Sequence, residues 1–340
     1  MAVPSGTVAM SNIQSEFGDS YNINNYYRGG SYVTNHPVNA GIPTSGTISM
    51  LQFRGASYIW YVSMTVGGTT DFNMHSYMTA NYGNSNGPIY ATLTLNTSTA
   101  LYATSTSSWG FTTGSGWPSG SSLTFNMNGG SYVLGMGGNG GAGNSFYKGS
   151  AVVDGSPGGP AIYLSYPLTI NNSGAGILGG GGGGGGGAIE YVPGFPYYSA
   201  GGGGGGAFYW YATYGVNAAG GGGGGGGTSN QGNSGGTGGD GGDRHSGAGT
   251  PGGNGVANGG AGGARGDWYS GGESPYDLYA GYGGAGGGWG TAGSAGTGST
   301  YNNAFYTYRS GANGGAAGYA IQENGYTLSG STGTTAGPIG

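Results

Sequence analysis

The chain has 340 residues, and 92 of them are glycine, against a usual share near 7%. Charged residues make up 5%, six basic against eleven acidic, for a net charge of −5, and cysteine is absent. These figures exclude a disulfide framework, a cysteine-ligated metal site and the basic stripe that nucleic acid demands. No apolar run approaches the ~20 residues of a membrane-spanning helix, and the start, MAVPSGTVAM, lacks the basic region of a secretory signal. Simple disorder does not fit either, because 13% of residues are aromatic, with 29 tyrosines, whereas disordered chains are poor in aromatics. The composition suits a robust extracellular assembly protein better than an enzyme.

The first ~55 residues hold a repeat. Ser5-Gly6-Thr7-Val8-Ala9-Met10 recurs as Ser45-Gly46-Thr47-Ile48-Ser49-Met50, and each copy follows a proline, Pro4 or Pro43. Each reads as a short strand entering one or two helical turns. Ser11 and Gln14 have capping-box spacing, and Gly18 stands where a helix would stop. Such units suit either docking onto a larger structure or a small packing domain.

Residues 56–120 read as β-structure. Tyr58–Val66 and Ala91–Asn96 are rich in β-branched and aromatic residues, the second with alternation of period two. Asn84-Ser85-Asn86-Gly87-Pro88 is turn chemistry. The expected outcome is a small antiparallel sheet or sandwich.

Glycine then becomes dense: residues 1–120 hold 15 and residues 121–340 the other 77, which places a boundary near Ser121. A second repeat opens this half. Leu123-Thr124-Phe125-Asn126…Gly129…Val133-Leu134-Gly135 matches Leu168-Thr169-Ile170-Asn171…Gly174…Ile177-Leu178-Gly179, with an echo at Asn324–Gly330. Each copy reads as strand, glycine turn, strand.

Gly179–Gly187, Gly201–Gly206 and Gly220–Gly227 are pure glycine, and looser tracts follow at Gly232–Gly242, Gly252–Gly263, Gly281–Gly298 and Gly311–Gly318. Collagen fails for want of a three-residue period and of proline. A flexible linker is the bland alternative. The reading preferred is lateral packing of polyglycine-II helices, whose backbone groups all point outward and whose missing side chains allow close approach. At ~3.1 Å per residue, nine residues span roughly 28 Å.

The segments between tracts are aromatic. Tyr191, Phe195, Tyr197 and Tyr198 lie in the first, and Tyr209, Trp210, Tyr211 and Tyr214 in the second. Trp268, Tyr269, Tyr306 and Tyr308 come later. Tyrosine and tryptophan offer rigid contact area with a polar handle, so these twelve are the candidate recognition residues. The alternative is that they only close the ends of the scaffold.

Other motifs carry little. Matches to G-x-G-x-x-G are inevitable in such tracts, and Lys148 is followed by Gly149 rather than the Ser or Thr of a phosphate loop. Gly235–Asp240 begins like a calcium nonapeptide but occurs once. Asp240, Asp243 and His245 read as a solvated turn, and Arg265-Gly266-Asp267 as chance. His36, His75 and His245 are far apart, no catalytic constellation stands out, and no cofactor or metal is expected.

The segments Pro4–Ile13 and Ile42–Gly55 resemble a pair found near the start of tail-fibre and other structural proteins of tailed phages. From Leu123 onward the chain is similar to glycine-rich tail-fibre tips, including the adhesins that cap long tail fibres of T-even-type phages. That resemblance implies a polyglycine-II sandwich with host-contacting loops. It carries no residue-level site, and the adhesins in question lack the N-terminal segment.

The sequence therefore predicts a mainly β protein with a polyglycine-II bundle: residues 1–55 a virion-docking segment, 56–122 a β-rich spacer, 123–340 the receptor-binding domain. The expected role is a non-enzymatic tail-fibre adhesin on the virion tail, extracellular, binding a host glycan or outer-membrane protein through its aromatic loops. Its other partners would be virion tail proteins and copies of itself, a trimer by analogy with fibres. Neither nucleic acid nor membrane insertion enters. The rivals are a purely structural glycine-rich fibre protein and an ice-binding protein, the latter requiring a flat, regular face of small residues that the bulky, irregular loops argue against.

Overall fold

In the computed structural model, which describes residues 2–18, 20–141, 153–172, 176–180, 278–279, 283–296, 300–301 and 312–340, the two N-terminal repeats fold onto each other. The first runs into helix α1 (Met10–Phe17), and the second into a 3₁₀ turn, Met50–Phe53. No strand precedes either. Both use one capping device: the Ala9 N–H donates to Asn12 Oδ1 at 2.9 Å, and the Ser49 N–H to Gln52 Oε1 at 2.7 Å. The first helix thus starts before the expected Ser11, and it stops at Gly18, whose φ of 99° suits glycine. Phe17 meets Phe53 edge-on at 6.3 Å, and Phe53 meets the buried Tyr26 at 6.2 Å. These rings, with Val3, Ile13, Val33 and Ile42, form a small core of their own.

Beyond Trp60 the chain winds into successive coils. The first coil places β1 (Trp60–Val66), β2 (Thr69–Thr70) and β3 (Phe72–Asn73), followed by helix α2 (Met74–Tyr82). The second places β4 (Ile89–Leu95), β5 (Ala100–Tyr102) and β6 (Phe111–Thr112), and the third β7 (Ser122–Met127), β8 (Tyr132–Leu134) and β9 (Ile162–Tyr163). The fourth holds β10 (Leu168–Asn171) and β11 (Ile177–Gly179). An antiparallel pair, β12 (Leu278–Tyr279) and β13 (Thr300–Tyr301), precedes its closing strand β14 (Ile321–Gln322). The last coil adds β15 (Leu328–Ser331) and β16 (Thr334–Ala336), with Ile339 bridging back to Ile321.

Corresponding strands stack into three parallel sheets: β1-β4-β7-β10-β15, β2-β5-β8-β11-β16 and β3-β6-β9-β14. Alternation creates the inside. In β1 every second residue is buried, beginning with Trp60, and β4 and β7 repeat the pattern. Equivalent positions then pile up: Met64, Leu93, Phe125 and Ile170 are in register in the first sheet. Phe72, Phe111, Ile162 and Ile321 are in register in the third. Phe111 lies flat on Phe125 at 4.6 Å. Each such ring contributes about 1.5–3 kcal/mol on full burial, and one continuous core runs from Trp60 to Ile321.

Two expectations are corrected here. The strands of residues 56–120 pair in parallel rather than antiparallel, because each returns to the sheet only after a full coil. The described residues from 123 onward do not form the expected polyglycine-II bundle. Their strands β7–β11 and β14–β16 lie in the same parallel sheets as β1–β6, and nothing among the described residues defines a polyglycine-II helix. Of the three pure tracts, only Gly179 and Gly180 are described. The second repeat is the coil itself: Leu168 pairs with Leu328, and Ile170 with Phe125.

Candidate functional site

The coils differ at one corner, between the second and third sheets. There the first coil spends one residue, Asp71, and the second spends residues 103–110. The third spends 135–161 and the fourth 180–320. Asp71 has φ 46° and accepts hydrogen bonds from the Thr104 N–H, at 3.0 Å, and the Thr104 hydroxyl. Burial alone would raise its pKa, but the bonds from Thr104 and Ser108 outweigh that and hold the carboxyl below its usual value.

The described parts of the two large insertions bind each other through backbone. Gly155 and Gly158 donate to Asn313 and Ala316, whereas Ser156 and Gly159 donate to Asn139 and Met136. One segment is thus clamped between two others. The spacing tolerates no side chain: a Cβ on Gly138 or Gly315 would lie 2.0 Å from the Ser156 carbonyl oxygen. The large insertion is also tied to the coils, since the Gly290 N–H donates to Gly180 O at 2.7 Å and Trp289 packs on Tyr132.

All twelve aromatic residues singled out in the sequence fall between 180 and 320. Tyr191, Phe195, Tyr197, Tyr198, Tyr209, Trp210, Tyr211, Tyr214, Trp268, Tyr269, Tyr306 and Tyr308 all lie outside the described residues. So do Lys148, Asp240, Asp243, His245 and the Arg265–Asp267 triplet. Among the described residues no group of acidic or histidine side chains could hold a metal ion, and no helix is long and apolar enough to cross a membrane.

Sequence reasoning missed the outer faces of the coils. On the first sheet Ser63, Thr92, Thr124, Thr169 and Ser329 form one outward row, and Thr65, Thr94, Asn126, Asn171 and Ser331 another. Neighbours bond along the rows, Asn171 to Asn126 at 2.9 Å and Thr169 with Ser329 at 2.8 Å. This is an uncharged face of small polar residues, flanked by the exposed pair Tyr61 and Tyr90. On the third sheet Trp109 stacks on Tyr163 at 4.4 Å. The signal that could have found them is the outward half of each alternating strand.

His36 and His75 are structural. His36 lies between the N-terminal unit and the coils, stacked on Trp60 at 5.8 Å with Nε2 2.8 Å from Ser57 O. Its Nδ1 is buried without a partner, and burial lowers its pKa despite the carbonyls of Ser57 and Tyr58. Burial likewise lowers that of His75, which sits edge-on to Trp117.

A stack of coils whose longest insertion, rich in glycine and aromatics, leaves from one corner offers loops on a regular scaffold, where binding function tends to concentrate. Residues 61–215, a little under half of the chain, match the family described as phage tail fibre adhesin Gp38. The matched stretch begins in β1 and ends inside the large insertion. This similarity supports what the resemblance implied: a tail-fibre adhesin, receptor-binding and carried on the virion tail. The solved gp37–gp38 adhesin tip complex of the bacteriophage S16 long tail fibre is similar at 22% identity, over 99% of this chain and 100% of that one. Its TM-score of 0.43 defines no common fold. No curated protein matches.

Proposed function

We propose that the insertion 180–320 is the receptor-binding part of this adhesin and that its aromatic residues make the contacts. The observation that carries this reading is one of placement. All twelve candidate aromatics belong to a single excursion that leaves the second sheet after Gly179 and rejoins the third at Ile321. A rigid stack holds both ends of that excursion, and loops on rigid scaffolds are where recognition concentrates. Tyr and Trp supply contact area at low entropic cost. The receptor is a host surface glycan or an outer-membrane protein, and the binding involves no catalysis.

Residues 1–55 act as the docking segment toward other virion tail proteins. Their own core makes them a distinct unit, and Tyr21, Val38, Met50 and Leu51 are exposed on it. Several copies per virion, a trimer in the simplest arrangement, raise avidity.

The test replaces Tyr209, Trp210 and Tyr211 together by serine in the full chain and measures adsorption to host cells. Loss of adsorption with an unchanged melting midpoint supports the reading. Unchanged adsorption removes these residues from the contact surface.

A further inference from the structure

We propose a second carbohydrate subsite on the wall of the coils, built on Trp109 and Tyr163, that takes one hexose unit of a neutral surface glycan. The pair stands apart from the core. Ile162 is fully buried, so strand alternation puts Tyr163 on the outer face, and neither ring belongs to the apolar cluster inside. Both rings are half-buried, and their main ring contact is with each other, 4.4 Å apart and inclined by 26°. An indole and a phenol held face to face leave an outer ring face of the stack as a platform of the size of a pyranose ring, whose C–H face packs on aromatic carbon as any apolar surface does.

Polar groups adjoin the pair. The Asn324 Nδ2 donates to the Tyr163 hydroxyl at 2.8 Å, which fixes the phenol. Asn324 holds φ 52°, an unusual value for a residue with a side chain, in an exposed turn with Gly325. Its amide has a carbonyl oxygen and a second N–H beyond that bond. Gln322 sits beside Tyr163 in register on the next strand. Ser105 and Ser107, on the loop that carries Trp109, are exposed and hydroxyl-bearing. Amides and hydroxyls beside an aromatic floor match the hydroxyls of a sugar; Trp109, Tyr163, Gln322 and Asn324 bring no charge, and the nearby charges, Asp71 held by Thr104 and Ser108 of the same loop and Glu323 between Gln322 and Asn324, are both negative. An uncharged sugar fits that lining better than a phosphate or a uronic acid. The platform also lies at the corner from which both large insertions depart. A glycan chain bound by the insertion could therefore be held a second time at its base.

This subsite does not depend on the insertion residues, so the two ideas fail separately. Full-length protein is titrated calorimetrically with maltohexaose, cellohexaose and a galactose hexamer. The wild type binds at least one of them, Trp109→Ala weakens that binding about tenfold, and Trp109→Phe retains most of it. The triple serine variant at Tyr209, Trp210 and Tyr211 binds the same oligosaccharide normally, whatever its effect on host adsorption. Should Trp109→Ala lose its fold, Gln322→Ala must show a weakening of several-fold instead. Absence of binding by the wild type to all three, or equal binding by the folded Trp109 and Gln322 variants, overturns the proposal.

Discussion

Replacing Gly315 by alanine should open the seam between the two insertions. The added Cβ would lie 2.0 Å from the Ser156 carbonyl oxygen, where ordinary contact begins near 3.4 Å, so the segments must part by more than an ångström. The flanking bonds, Gly155 N–H to Asn313 O at 2.9 Å and Gly158 N–H to Ala316 O at 3.0 Å, cannot survive that displacement. Each bond is worth about 0.5–1.5 kcal/mol, and overpacking adds its own strain, so the loss is about 2–4 kcal/mol. The melting midpoint, followed by calorimetry, should fall by roughly 3–6 °C. Gly129→Ala is the control, because a Cβ there meets nothing within 4 Å, and it should stay within about 0.5 kcal/mol of the wild type. A Gly315→Ala variant that melts with the wild type would show that the glycine content does not serve close backbone approach at this seam.

Phe125→Ala removes a fully buried ring stacked on Phe111 and should cost about 3–5 kcal/mol in a denaturant titration. His36 has its pKa lowered in the fold, so the unfolded chain binds the proton more readily. Stability is therefore full above about pH 6.5 and declines as pH falls below it; His36→Gln should flatten that slope in melts between pH 7 and 5. Met50→Ser with Leu51→Ser, both exposed on the N-terminal unit, should leave the melt unchanged while reducing incorporation into virions. The outward rows of Ser, Thr and Asn on the first sheet form a regular polar face of the kind ice binding would require, yet an adhesin should show no thermal hysteresis, which a nanolitre osmometer measures.

Much of the coil was legible as repetition. Leu123-Thr124-Phe125-Asn126 and Leu168-Thr169-Ile170-Asn171 recur because the same inward and outward positions recur one coil later, and the structure places them side by side. Strand direction was not legible, because alternation of period two is the same in parallel and antiparallel sheets. Irregular spacing hid the solenoid: strands of the first sheet begin at residues 60, 89, 122, 168 and 328. Glycine density suggested a separate architecture, whereas the described coils continue past residue 122 and glycine gathers in excursions from one corner. Capping chemistry was legible to within two residues, at Ala9 rather than Ser11, since Asn12 competes with Gln14 for the role. The Trp109–Tyr163 platform was invisible because its residues meet only when the second and third coils stack.

The receptor-binding role of the insertion is tested most directly by exchanging residues 189–199 and 208–219 for the matching segments of a relative with a different host, then measuring adsorption to both hosts. Adsorption that follows the donor of the segments, with the melting midpoint unchanged, is the expected result. Adsorption that stays with the original host would contradict it.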